Sequence, residues 1–219
     1  HSFWAPEIHE IDGRLTILFM AGYGNTWSNG KSVYMQLKQD ADGHDLDPAD
    51  PDNWTVPTPI YRNDASLLNG NKQLAATASG GVGMSLDMTY FQDADGRSYY
   101  AWQQLGATYI ATMDPKDPAH VTSSPVRIVT PEYAWNAAIA EGPNVTLRDG
   151  KLYLMFSGSG VGKTYTTGLA VADASGTDLT DPASWTVLNY PIQKSGPFNG
   201  EMQLGTGHGM WSHDEDGNL

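Results

Sequence analysis

One two-strand unit recurs along this chain, and it limits the available folds more than any single residue does. Residues 11–19 read I-D-G-R-L-T-I-L-F, residues 88–102 read M-T-Y-F-Q-D-A-D-G-R-S-Y-Y-A-W, and residues 145–156 read V-T-L-R-D-G-K-L-Y-L-M-F. A fourth copy, W-S-H-D-E-D-G-N-L, occupies 211–219 and stops just past its turn. Each places Asp-Gly between apolar or aromatic runs, the strongest short-range signal for a β-hairpin. A second marker follows: D-P-D-N-W-T-V from Asp50, D-P-K-D-P-A-H-V from Asp114 and D-P-A-S-W-T-V from Asp181. Asp-Pro opens a turn, and in the first and third copies a Trp then docks on a neighbouring layer. Between the markers lie strand-like stretches at 32–37, 107–112 and 167–172.

The repeating unit is therefore three or four antiparallel strands, recurring at roughly 50–80 residues, the spacing of propeller blades. Sandwiches and jelly rolls account for the strands but not for the paired markers. The fold expected is all-β, a β-propeller in a single domain, with blades at about 4–61, 84–129 and 140–192 and an incomplete fourth at 205–219. Propellers close with roughly four to eight blades, so about three and a half implies that the remainder of the polypeptide completes the ring. Residues 63–83, rich in Asn, Ala and Gly, read as a long connection of the kind that tends to be functional.

Composition narrows the partners. Twelve Lys and Arg against 25 Asp and Glu give a net charge of −13, a field that repels nucleic acid and anionic membranes. Neutral ligands such as sugars remain open. With no cysteine, disulfides, thiolate nucleophiles and Cys-ligated metals are excluded. No apolar run approaches the roughly 20 residues of a membrane helix. No compartment follows from this, although the outside of the cell is slightly favoured over the cytoplasm.

Three segments that would begin innermost blade strands carry an acid or a histidine: Asp87 in M-S-L-D-M-T-Y-F, Glu141 in A-E-G-P-N-V and His208 in G-T-G-H-G-M-W-S. Glu7, in W-A-P-E-I-H, is similarly placed. Two carboxylates flanking one bond are the usual equipment of glycoside hydrolysis, one protonated to serve the leaving oxygen and one ionised to activate water. Three other stretches point to nothing functional. Trp54 and Trp185 read as blade packing. The acid-rich run 40–52 lacks the ladder of a calcium loop. G-S-G-V-G-K-T at 158–164 joins two strands and is no phosphate loop.

In order along the chain, W-A-P-E at 4–7, S-L-D at 85–87 ahead of F-Q-D-A-D-G-R-S-Y-Y, E-G-P at 141–143 and G-H at 207–208 resemble the blade signatures of glycoside hydrolase family 43. That resemblance implies a five-bladed propeller that inverts the anomeric centre. Tyr109 to Ala111, P-E-Y-A-W at 131–135 and D-P-A-S-W at 181–185 look more like its α-L-arabinofuranosidases than its β-D-xylosidases. Carried over, Glu141 would be the general acid, and Asp87 would tune the acid and orient the substrate. Trp4 would stack on a sugar ring. His208 would contact substrate and face an axial structural ion, commonly calcium, directly or through water. The family's general base, an Asp before the W-A-P-E segment, has no counterpart in these residues, so this stretch alone is expected to be inactive. The expected function is exo-acting removal of α-L-arabinofuranosyl groups from plant glycans. The alternatives are a β-D-xylosidase or a non-catalytic carbohydrate-binding propeller.

Overall fold

The computed structural model describes residues 2–22, 30–68 and 84–219. Among them strands dominate, and helix is confined to single 3-10 turns. Three four-stranded antiparallel sheets follow one another along the chain. The first holds β1 (Phe3–Ile11), β2 (Arg14–Ala21), β3 (Lys31–Gln36) and β4 (Thr58–Pro59), in that spatial order. A two-residue strand, β5 (Tyr61–Arg62), leads out of it. The second sheet is β6 (Leu86–Gln92), β7 (Ser98–Gln104), β8 (Ala107–Thr112) and, after the short β9 (His120–Val121), β10 (Val126–Val129). The third is β11 (Ala140–Arg148), β12 (Lys151–Gly158), β13 (Thr166–Asp173) and β14 (Thr186–Val187). In each, the first strand is an edge, and β6 packs against both β1 and β11. The three first strands therefore gather at a common axis while later strands run outward, the all-β blade arrangement of a propeller. Most of the connection expected at 63–83 lies outside the described residues.

The Asp-Gly turns form for a local reason, in two ways. Asp12-Gly13 and Asp149-Gly150 carry positive φ at both positions, 52° and 68°, then 49° and 74°, the pattern of the tight two-residue turn that matches strand twist. The other two turns are longer. Asp93 accepts from the backbone N–H groups of Asp95 and Arg97, and Asp214 does the same for Asp216 and Asn218. The Asp-Pro markers also have a mechanism. Asp50 and Asp181 each cap a 3-10 turn by accepting from the N–H two residues on, and the following Trp54 and Trp185 each donate an indole N–H back to a carbonyl six residues earlier.

Apolar side chains fill the spaces between sheets. Ile11, Leu18, Met88, Tyr100 and Trp102 lie between the first and second, all with no exposed surface. Tyr99, Ile110, Leu154, Phe156 and Trp185 lie between the second and third. Trp185 is thus a packing residue, 6% exposed.

Two features depart from the sequence reading. Residues 205–219 form no strand, although the expected turn is present, with Gly217 donating to Asp214. Ahead of it stands an unanticipated hairpin, β15 (Gly196–Phe198) with β16 (Glu201–Gln203). Asn199 and Gly200 make its turn, both at positive φ, so Asn-Gly was a hairpin signal left unused.

Candidate active site

Each axial strand is bent at its start by a bulge. Register with the second strand slips between Trp4 and Glu7, between Leu86 and Thr89, and between Glu141 and Asn144. Within each slip one residue takes positive φ: Ala5 at 50°, Asp87 at 56° and Gly142 at 57°. His208, in the segment that lies along β11, has the same conformation at 57°. For Ala and Asp this backbone is unfavourable, and such strain gathers at functional sites. A bulge also re-aims the neighbouring side chains, here toward one cavity of about 850 Å³. Trp4, Asp87, Glu141 and His208 all line it. Glu7 lies two residues beyond its bulge and does not. It accepts from Asn144 at 3.1 Å and pairs with His9 at 2.7 Å, tying the first and third sheets together below the cavity.

The two cavity carboxyls differ in setting. Asp87 is 5% exposed and accepts a hydrogen bond, 3.0 Å from the Gly142 N–H. Burial pushes its pKa up to about 8, the negative charges of Glu141 and Glu7 add to this, and the Gly142 bond opposes it. Asp87 therefore keeps its proton through neutral pH. Glu141 is half-buried and faces the cavity, where Tyr165 donates to its Oε1 at 2.6 Å.

Sequence reasoning missed Tyr165 and Gln103, both of which line the cavity. Tyr165 precedes β13 in an unremarkable Y-T-T-G stretch. Gln103 sits inside an aromatic strand and looks like a ladder residue, yet its buried Oε1 has no hydrogen-bond partner among the described residues. Neither carried a motif.

Calcium takes roughly six to eight oxygen ligands. Among the described residues, His208 belongs to no trio of His, Asp or Glu near enough to share an ion. The trio found is Asp40, Asp42 and His44, all exposed on a loop. The His208 ring lies against Gly142, where an added Cβ would come 3.2 Å from Nδ1. The residues present do not by themselves supply a calcium cage at His208, and no step below uses one.

A propeller axis with paired, coupled carboxyls in a concave pocket defines a glycosidase-type site. Comparison with known proteins agrees. Residues 1–219 match the profile of Glycosyl hydrolases family 43 throughout, and the chain belongs to that family. It is 29% identical to an extracellular exo-α-(1→5)-L-arabinofuranosidase of Streptomyces avermitilis, over 98% of this chain and 40% of that protein. It is equally similar, over the same shares, to α-L-arabinofuranosidase 43 of Humicola insolens. The crystal structure of an α-L-arabinofuranosidase from Lactobacillus brevis superposes with a TM-score of 0.75 at 26% identity, covering 99% of this chain and 62% of that one. The chain thus spans about 40% of the length of these curated relatives.

Proposed function

We propose that this chain supplies the acid side of the catalytic centre in an inverting, exo-acting α-L-arabinofuranosidase with a five-bladed propeller. The observation that carries the proposal is the convergence of Asp87 and Glu141, from different sheets, in one pocket where Asp87 keeps its proton up to about pH 8. Glu141, the carboxyl that faces the cavity, delivers the proton to the glycosidic oxygen as the C–O bond breaks. Asp87, buried beside it and bonded to the Gly142 N–H, tunes the acid and orients the substrate. Water then attacks the opposite face of the sugar, and a base removes its proton. No residue of this chain is assigned as that base. Trp4, 42% exposed at the cavity wall, offers a ring face for the sugar, and a sugar hydroxyl would supply the donor that Gln103 Oε1 lacks. The sugar and the exo mode follow the relatives' names, as does an extracellular location.

The test is hydrolysis by the full-length protein of nitrophenyl α-L-arabinofuranoside against nitrophenyl β-D-xylopyranoside, and of arabinobiose. The arabinosides are expected to be cleaved. Glu141→Gln should lower arabinobiose turnover on the order of 10²–10⁴-fold, the usual worth of a general acid. Near-normal turnover in that variant refutes the acid, and cleavage of the xyloside alone refutes the sugar.

A further inference from the structure

One hydroxyl in the cavity wall does not appear in the mechanism above. Tyr165 is 5% exposed yet borders the cavity, and it is held on several sides. Its N–H donates to Gly162 at 3.1 Å, and its carbonyl accepts from Thr206 at 3.0 Å. Its ring lies flat on Gly207, where an added Cβ would come within 2.4–2.6 Å of ring atoms. Ser157 stands opposite Glu141 in the β11–β12 ladder and accepts from the His208 N–H. Tyr165 donates to Glu141 Oε1 at 2.6 Å.

The tyrosyl oxygen carries one hydrogen, and that hydrogen is committed to Glu141. Burial, the bond to Glu141 and the charge of Glu141 all hold this phenol well above its ordinary pKa, so it remains a donor wherever the protein is folded. An oxygen that accepts a short hydrogen bond is a poor site for a proton, and the other oxygen of the carboxyl takes it.

We infer that Tyr165, held by its backbone bonds and by Gly207 beneath its ring, is the positioning residue that fixes the Glu141 carboxyl with Oε1 as acceptor and Oε2 as the oxygen bearing the transferable proton. This rests on Glu141 being the general acid. Proton donation demands that the acid lie within hydrogen-bond reach and in line with the leaving oxygen, so a carboxyl free to rotate spends much of its time presenting the wrong oxygen. The need is greatest when the leaving group is a sugar alcohol and least when it is nitrophenolate, which departs without a proton.

The experiment compares arabinobiose with nitrophenyl α-L-arabinofuranoside on the full-length protein and its Tyr165→Phe variant, which deletes one oxygen and keeps the packed ring. Expected is a loss of kcat on the order of 10–100-fold for arabinobiose, part of the acid's whole contribution. Nitrophenyl arabinoside should fall less than about threefold, with KM for both held within about twofold. Gly207→Ala, which displaces the same ring without removing the hydroxyl, should reproduce the asymmetry. Equal losses on both substrates, the mark of general damage, would overturn the inference, as would wild-type kcat on arabinobiose. Glu141→Gln separates the two layers. If it is inactive on arabinobiose while Tyr165→Phe is normal, only the positioning role fails; if Glu141→Gln itself turns over arabinobiose, the acid assignment fails and this role with it.

Discussion

Asp87→Asn should make the protein less sensitive to alkali, and the size of the effect follows from burial. In the folded protein the Asp87 carboxyl keeps its proton up to about pH 8, whereas in the unfolded chain it loses it near pH 3.9. Between these limits the folded state binds the extra proton, so stability falls as pH rises. The contribution is fully present below pH 3.9 and is lost by about pH 8. Each pH unit inside the window is worth about 1.4 kcal/mol, so going from pH 5 to pH 7 removes about 3 kcal/mol. The substituted carboxamide cannot ionise and can still accept the Gly142 N–H through its oxygen. The variant should therefore keep that bond and lose the slope. For a domain of this size the difference amounts to roughly 6–12 °C in Tm. Thermal melts of wild type and variant at pH 5, 6 and 7 measure it directly. Parallel Tm curves over that range would show that Asp87 is ionised in the folded protein.

Other perturbations probe the framework around the site. Gly168→Ala places a Cβ within 2.4 Å of the Phe156 ring and 2.7 Å of the Trp135 ring, and should cost about 1–3 kcal/mol by overpacking; an unchanged denaturant midpoint would mean those rings shift freely. Glu7→Ala strips partners from His9 and from the 6%-exposed Asn144. It should destabilise by about 3 kcal/mol, the lower end for breaking a buried pair, and neutral behaviour in urea would show that water takes over both bonds. Trp185→Phe leaves the Leu179 carbonyl without its indole donor and should cost about 1 kcal/mol beyond the change in packing, read from the same titrations.

The fold was legible where local chemistry dictates the backbone. Asp12-Gly13 and Asp149-Gly150 must turn because both residues accept positive φ, and Asp50 and Asp181 must cap because their side chains reach the N–H two residues on. Strands β8 and β13 coincide with the stretches at 107–112 and 167–172 to within a residue at each end. The four residues singled out from the sequence share one cavity wall. Less visible was whatever depends on residues distant in the chain. The parallel pairing of β5 with β9 joins residues some sixty positions apart. The bulges were equally hidden, and with them a shift in frame. Asp87 stands at the positive-φ position of its strand, while Glu141 stands one residue before the corresponding Gly142. That offset buries one carboxyl and opens the other to the cavity, and no spacing rule contains it. Tyr165 was missed because its role comes from where the β12–β13 loop returns, not from its neighbours in sequence.

The recurrent kink at the head of each axial strand gives the molecule interchangeable sockets. Trp4, Leu86, Glu141 and Gly207 occupy one set, and Ala5, Asp87, Gly142 and His208 the other. The backbone at these heads bends alike whether the occupant is an indole, an aliphatic chain, a carboxyl or a bare hydrogen. A change of occupant thus alters what the cavity presents without asking the surrounding sheets to refold. A scaffold wired in this manner can retune its pocket through a few point replacements, while its hydrophobic layers stay untouched.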